Sequence, residues 1–129
     1  MKDLEKARLR QARESLDEAQ ALLADGMDVG FVLTNLYYAF YYSILALMNE
    51  GQVPTTMQSV TLGLFERQYI QSDIFKNEYY EAARRVFEIK PKCDGVKTPV
   101  NRGEIDKLTI LASAFIQDVE TYLESKPAE

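Results

Sequence analysis

The sequence predicts an all-α protein, an antiparallel four-helix bundle with an additional short helix. Three observations carry this reading. Five segments repeat apolar residues at spacings of three and four, no segment shows the period-two alternation of a strand, and Gly or Pro punctuates the joints. A chain of 129 residues is read as a single domain over 1–129, large enough to close a core without metals or disulfides.

The first segment, Asp3 to Ala24, places Leu9, Ala12, Leu16, Ala19 and Leu23 on one stripe among charged neighbours, which predicts an amphipathic helix. Asp25-Gly26 ends it, with Gly suited to a left-handed residue. Asp28 then reads as the N-cap of a helix running to about Asn49. Residues 29–48 carry no charge, enough to span a bilayer by length alone. Thr34, Asn35, Ser43 and tyrosines in mid-segment argue for a central bundle helix instead, with no membrane association. A helix apolar nearly all round also exceeds one bundle seam, so part of it is expected in the interface of a homodimer.

A connector holds Pro54 and leads into a short helix from Met57 to Tyr69, with Met57, Val60, Leu64 and Phe65 on one face. After Ser72-Asp73, a helix is expected over Asn77–Ile89, closed by Pro91, with Tyr79, Tyr80, Ala83, Val86 and Phe87 as its apolar positions. Pro91, Gly95 and Pro99 make 91–100 a loop. Asn101 and Glu104 stand in capping-box spacing before a last helix carrying Ile105, Leu108, Ala112, Phe115, Val119 and Tyr122. Residues 126–129 are expected to fray.

Composition excludes more than it suggests. Zero histidine removes the usual general base, the commonest neutral metal ligand and every Ser-His or Cys-His nucleophile. Cys93 is the single cysteine, which rules out an internal disulfide or a cysteine zinc site and suits a reducing, cytoplasmic compartment. Nothing at the N-terminus reads as a secretory signal. A net charge of −5 opposes broad electrostatic capture of nucleic acid, and no motif calls for a cofactor or metal.

Three stretches resemble the HEPN domain family in its small stand-alone prokaryotic form. Thr34-Asn35-Leu36-Tyr37-Tyr38-Ala39-Phe40 resembles the family's Tyr-Tyr-Ala-containing second helix. Pro54-Thr55-Thr56-Met57-Gln58-Ser59-Val60, followed by Phe65 and Tyr69-Ile70, falls where members often read Pro-Lys-Thr-His-Ser-Gly-Val. Ala114-Phe115-Ile116 through Tyr122-Leu123 is similar to the final helix. Their order and spacing cover nearly the whole chain. The resemblance implies a dimer and a toxin–antitoxin role beside a minimal nucleotidyltransferase partner.

The departures fall on the nuclease motif. HEPN ribonucleases carry an Arg and, a few residues later, a His at the end of the fourth helix. Aligned through Phe87-Glu88-Ile89, the Arg position is Lys90, the Asp of a variant motif falls on Asp94, and that variant's Tyr becomes Gly95. The connector His is Met57 and a basic residue before Tyr-Tyr-Ala is Asn35. The expected function is therefore a helical interaction module with a degenerate nuclease motif. Alternatives are an endoribonuclease using Lys90 and Asp94, and a non-catalytic domain binding RNA, a nucleotide or another small ligand.

Two groups of side chains remain as site candidates. From Arg84 to Lys107 there are seven basic residues against four acidic ones, and Arg84, Arg85, Lys90 and Lys92 could bind phosphate or a partner. A solvated surface that complements a helix C-terminus is the simpler account of them. Asp94 beside Lys92 could belong to a site, although Asp94-Gly95 is also a turn signal. Tyr37, Tyr38, Tyr41 and Tyr42 form two i,i+4 ladders, expected in the core or a dimer interface, with base stacking the functional alternative.

Overall fold

The computed structural model describes residues 1–26, 28–48, 58–91 and 99–126, and all its regular structure is helical among them. The elements are α1 (Asp3–Ala24), α2 (Val29–Leu47), α3 (Gln58–Phe65), α4 (Asn77–Ile89) and α5 (Arg102–Ser125). Glu66–Ile70 prolongs α3 as a π turn. The connector through Pro54, residues 92–98 and the last three residues lie outside the described residues.

Local chemistry sets most helix ends. Gly26 takes the left-handed conformation (φ +70°) that closes α1, and its N–H donates to the Leu23 carbonyl at 3.2 Å. The Asp28 carboxylate accepts the Gly30 N–H at 2.7 Å, capping α2. Asn101 Oδ1 accepts the Glu104 N–H at 2.8 Å, capping α5. The expected capping box is only half formed, because the Glu104 carboxylate turns to Arg85 instead of its own helix end.

Helix α2 is the centre of the bundle and touches α1, α3, α4 and α5, whereas α1 and α4 make no contact among the described residues. Specific cross-links fix the antiparallel order. The start of α1 meets the end of α2 through Arg8, and Gly30 near the start of α2 meets Pro91 just past α4. At Gly30 a Cβ would lie 3.2 Å from Pro91 Cγ, so the missing side chain permits that approach. Arg85 on α4 meets Glu104 at the start of α5, and Tyr79 meets Asp118 two-thirds of the way along it. A surface ion pair, Arg13–Glu120 at 2.8 Å, ties α1 to α5.

The core is aromatic at its centre. Phe115 is fully buried and its ring lies 5.0–5.9 Å from those of Tyr79, Phe65, Phe75 and Phe40. Phe75 comes from the turn after the π segment, a contribution that periodicity does not reveal. Of the face expected on the short helix, Phe65 is buried and Leu64 packs against the core, Val60 turns outward, and Met57 lies outside the described residues. Val60 is 39% exposed, whereas Thr61 and Phe65 are fully buried and Tyr69 follows them one turn on. Buried Thr61 is bonded to Tyr41, which explains how a polar residue replaces valine on the inner face.

With no basic residue in its last turn, α2 needs donors from elsewhere for its final carbonyls. Arg8 Nη1 donates to the Leu45 carbonyl at 2.5 Å, and the Tyr69 hydroxyl donates to that of Leu47 at 2.7 Å. Burial first of all pushes the Tyr69 phenol up to about 12. Arg8→Met, which keeps the aliphatic stem and removes the guanidinium, is expected to lower stability by about 1.5–3 kcal/mol, the range for a hydrogen bond to a charged group. Urea unfolding with an unchanged m-value would measure it, and a loss within about 0.5 kcal/mol of zero would refute the capping role.

Candidate functional site

The tyrosines of α2 and the C-terminal end of α4 form one aromatic cluster. Consecutive positions on a helix point about 100° apart, so the two ladders separate. Tyr37 and Tyr41 turn inward and stack at 5.6 Å with an interplanar angle of 9°, both buried. Tyr38 and Tyr42 stack at 5.9 Å on the outer side, with Tyr38 40% exposed. Phe87 of α4 meets Tyr37 edge-on at 4.9 Å and Tyr41 at 6.4 Å.

Lys90 follows the last residue of α4 and sets its ammonium 4.8 Å above the Tyr37 ring centroid. That distance is a cation–π contact, worth about 0.5–1 kcal/mol at an exposed site. The half-buried lysine therefore caps the inner tyrosine ladder. Burial also raises the Tyr41 phenol, an effect opposed by its bond to Thr61 and by the charge of Arg8.

The structure places Arg84 and Arg85 apart from Lys90. Arg84 pairs loosely with Glu88 at 3.6 Å on an exposed helix face. Arg85 forks onto Glu104, with Nε–Oε2 at 2.8 Å and Nη2–Oε1 at 3.0 Å. The fork holds the Glu104 carboxyl below the usual range and raises the guanidinium, through the same hydrogen bonds. Arg85 thus faces α5 and Lys90 faces α2. Lys92 and Asp94 lie outside the described residues. No group of three metal-ligating side chains occurs among the described residues.

Several interactions had no sequence signal of their own. Tyr79, fully buried, donates its hydroxyl to the Asp118 carboxylate, and burial followed by that contact pushes its phenol well up. Arg8 had an indirect signal, the lack of a cation at the end of α2. Phe31, 61% exposed, heads an uncharged outer stripe on α2 that continues through Asn35, Tyr38 and Tyr42 at spacings of four, three and four. That stripe is where the surplus apolar surface of α2 emerges. Among the described helices α2 alone is long and apolar enough to cross a membrane, but 61% of its most apolar window is buried in the bundle, compatible with a soluble protein.

An all-α bundle with an aromatic cluster under a lysine-terminated fourth helix is thus the class of protein defined by the fold. The chain is 25% identical over 116 residues to a protein named UPF0332 protein from Thermotoga maritima, covering 89% of this chain and 87% of that relative. It is 24% identical over 126 residues to a protein of Methanocaldococcus jannaschii named "Putative toxin MJ0142", covering 97% of this chain and 84% of the relative. No family model matches the chain, and no solved structure matches it.

Proposed function

We propose that this chain is the HEPN-type helical subunit of a toxin–antitoxin pair, working through protein contact with a minimal nucleotidyltransferase and not through RNA cleavage. The observation that carries the reading is the use made of Lys90. At the position matched to the family's catalytic arginine, its ammonium packs on the Tyr37 ring, and the chain has no histidine to supply the base. Similarity to a relative named as a toxin over 97% of this chain supports the toxin–antitoxin setting.

Two copies pair through the uncharged α2 stripe of Phe31, Asn35, Tyr38 and Tyr42, in a self-complementary two-fold interface. Co-expression with a nucleotidyltransferase encoded beside it is expected to give a stable complex and to relieve any growth arrest caused by the chain alone. Light scattering is expected to show a dimer at micromolar concentration, and Phe31→Asp with Tyr38→Asp to give a folded monomer. A wild-type monomer would end the pairing, and neither complex nor growth effect would end the toxin–antitoxin reading.

A further inference from the structure

A groove of about 420 Å³ runs between α4 and α5, on a different side of α4 from the tyrosine cluster. Its floor is Ala82, Leu108 and Leu111, the first two each 4% exposed. The Arg85–Glu104 fork closes one end. Beyond the fork the α4 lip carries Glu78 and Glu81, one turn apart, and at its start Lys76, whose ammonium lies 5.6 Å from the Tyr79 ring centroid, while the α5 lip carries Lys107. Glu78, Glu81 and Lys107 are exposed and none has an ion-pair partner among the described residues. On the far side of Lys107 from the groove floor stands Ile110, 70% exposed, the highest value among the exposed large apolar side chains of the described residues.

We propose that this groove seats an amphipathic helix of a protein partner, with cationic side chains along the edge facing α4 and a carboxylate facing Lys107. Like charges one turn apart on a helix repel, and the lip's own cations are engaged elsewhere, Arg85 with Glu104 and Lys76 over the Tyr79 ring, so cations from outside relieve Glu78 and Glu81. From Glu78 to Arg85 the lip is roughly 10 Å long, about two helical turns, which suits contacts at i, i+3/i+4 and i+7 over a floor of small and leucine side chains. A second copy does not fit through the α2 stripe, because that stripe has no cation to offer Glu78 and Glu81. The inference rests on the reading above for the existence of a protein partner, and adds the surface that receives it.

Two measurements test it. The first uses a designed helical peptide of about 20 residues, long enough to hold a helix, with a Leu/Ala stripe between one lysine edge and one glutamate edge. Titrated into the isotope-labelled full chain, it is expected to shift the amides of Ala82, Arg85, Leu108 and Leu111. Glu81→Lys is expected to weaken its Kd about tenfold, whereas Asp17→Lys, the same charge change on exposed α1 surface, changes it less than twofold. A peptide with two glutamate edges should not bind. Shifts elsewhere, or equal effects of Glu81→Lys and Asp17→Lys, overturn the groove.

The second takes the co-expressed nucleotidyltransferase complex, which Glu81→Lys and Leu111→Arg should each weaken at least tenfold with the dimer unchanged. A complex indifferent to both variants overturns the groove and leaves the two-protein reading standing. No wild-type complex overturns that reading, and the peptide then decides the groove alone. If Leu111→Arg yields a monomer that remains helical by circular dichroism, a second copy occupies the groove and the proposal fails.

Discussion

Replacing Phe115 by alanine is expected to lower the unfolding free energy by about 3–5 kcal/mol, the range for truncating a fully buried aromatic. Phe115 has no exposed surface, and four rings from α2, α3, the turn at Phe75 and α4 close around it. The cost has two parts, the lost transfer of the ring from water and the cavity left when its neighbours relax incompletely. Each of those neighbours also packs elsewhere: Phe65 against Tyr69, and Phe75 against Tyr122. Collapse of the cavity is therefore restricted, which favours the upper half of the range. Phe31→Ala, at a ring 61% exposed on the outer stripe, is the matched control and is expected to stay within about 0.5 kcal/mol of wild type in the isolated protomer. Chemical denaturation of both variants measures the difference, and a Phe115→Ala loss below about 1.5 kcal/mol would show that the aromatic centre is not the keystone of the core.

Metal-independent cleavage of single-stranded RNA is expected to be undetectable, or orders of magnitude below that of an intact HEPN ribonuclease. Attack by a 2′-hydroxyl needs a base, a leaving-group acid and charge stabilisation on phosphate, and positioned acid–base groups supply about 10²–10⁴ each. The chain has no histidine. The guanidinium of Arg85 is committed to Glu104, and the ammonium of Lys90 lies over Tyr37. Gel assays on stringently purified protein would check this. Robust cleavage abolished by Lys90→Ala and by Asp94→Asn would replace the interaction reading with a nuclease that uses those two positions. Cleavage unaffected by both would come from a contaminant or another site. Phosphate binding without cleavage, weakened by Lys90→Ala and by salt, fits a site that kept its electrostatics without its chemistry.

The same residues show how far sequence reasoning reaches. The limits of α1 and α4 follow from periodicity and from punctuation at Gly26 and Pro91, and they fall at Asp3–Ala24 and Asn77–Ile89 as expected. Asp28 and Asn101 accept the N–H groups that an N-cap should. Pairing within the ladders, Tyr37 with Tyr41 and Tyr38 with Tyr42, follows from i,i+4 spacing alone. Which ladder faces inward does not, because a helix apolar all round carries no marker of its buried side.

By itself, then, the sequence determined the helical class, the limits of α1 and α4 and the pairing within the tyrosine ladders, since each depends on residues within one or two turns of one another, and its composition alone removed a histidine base. Tertiary structure alone decided that Thr61 and not Val60 faces the core, that Phe75 reaches Phe115, and that Glu104 leaves its own cap for Arg85. It also sent Arg8 to the end of α2, 37 residues away, and Lys90 to Tyr37. The physical reason is common to all of these. Side chains take the partner that packing brings within reach, and that partner lies on another element, where spacing along the chain carries no information.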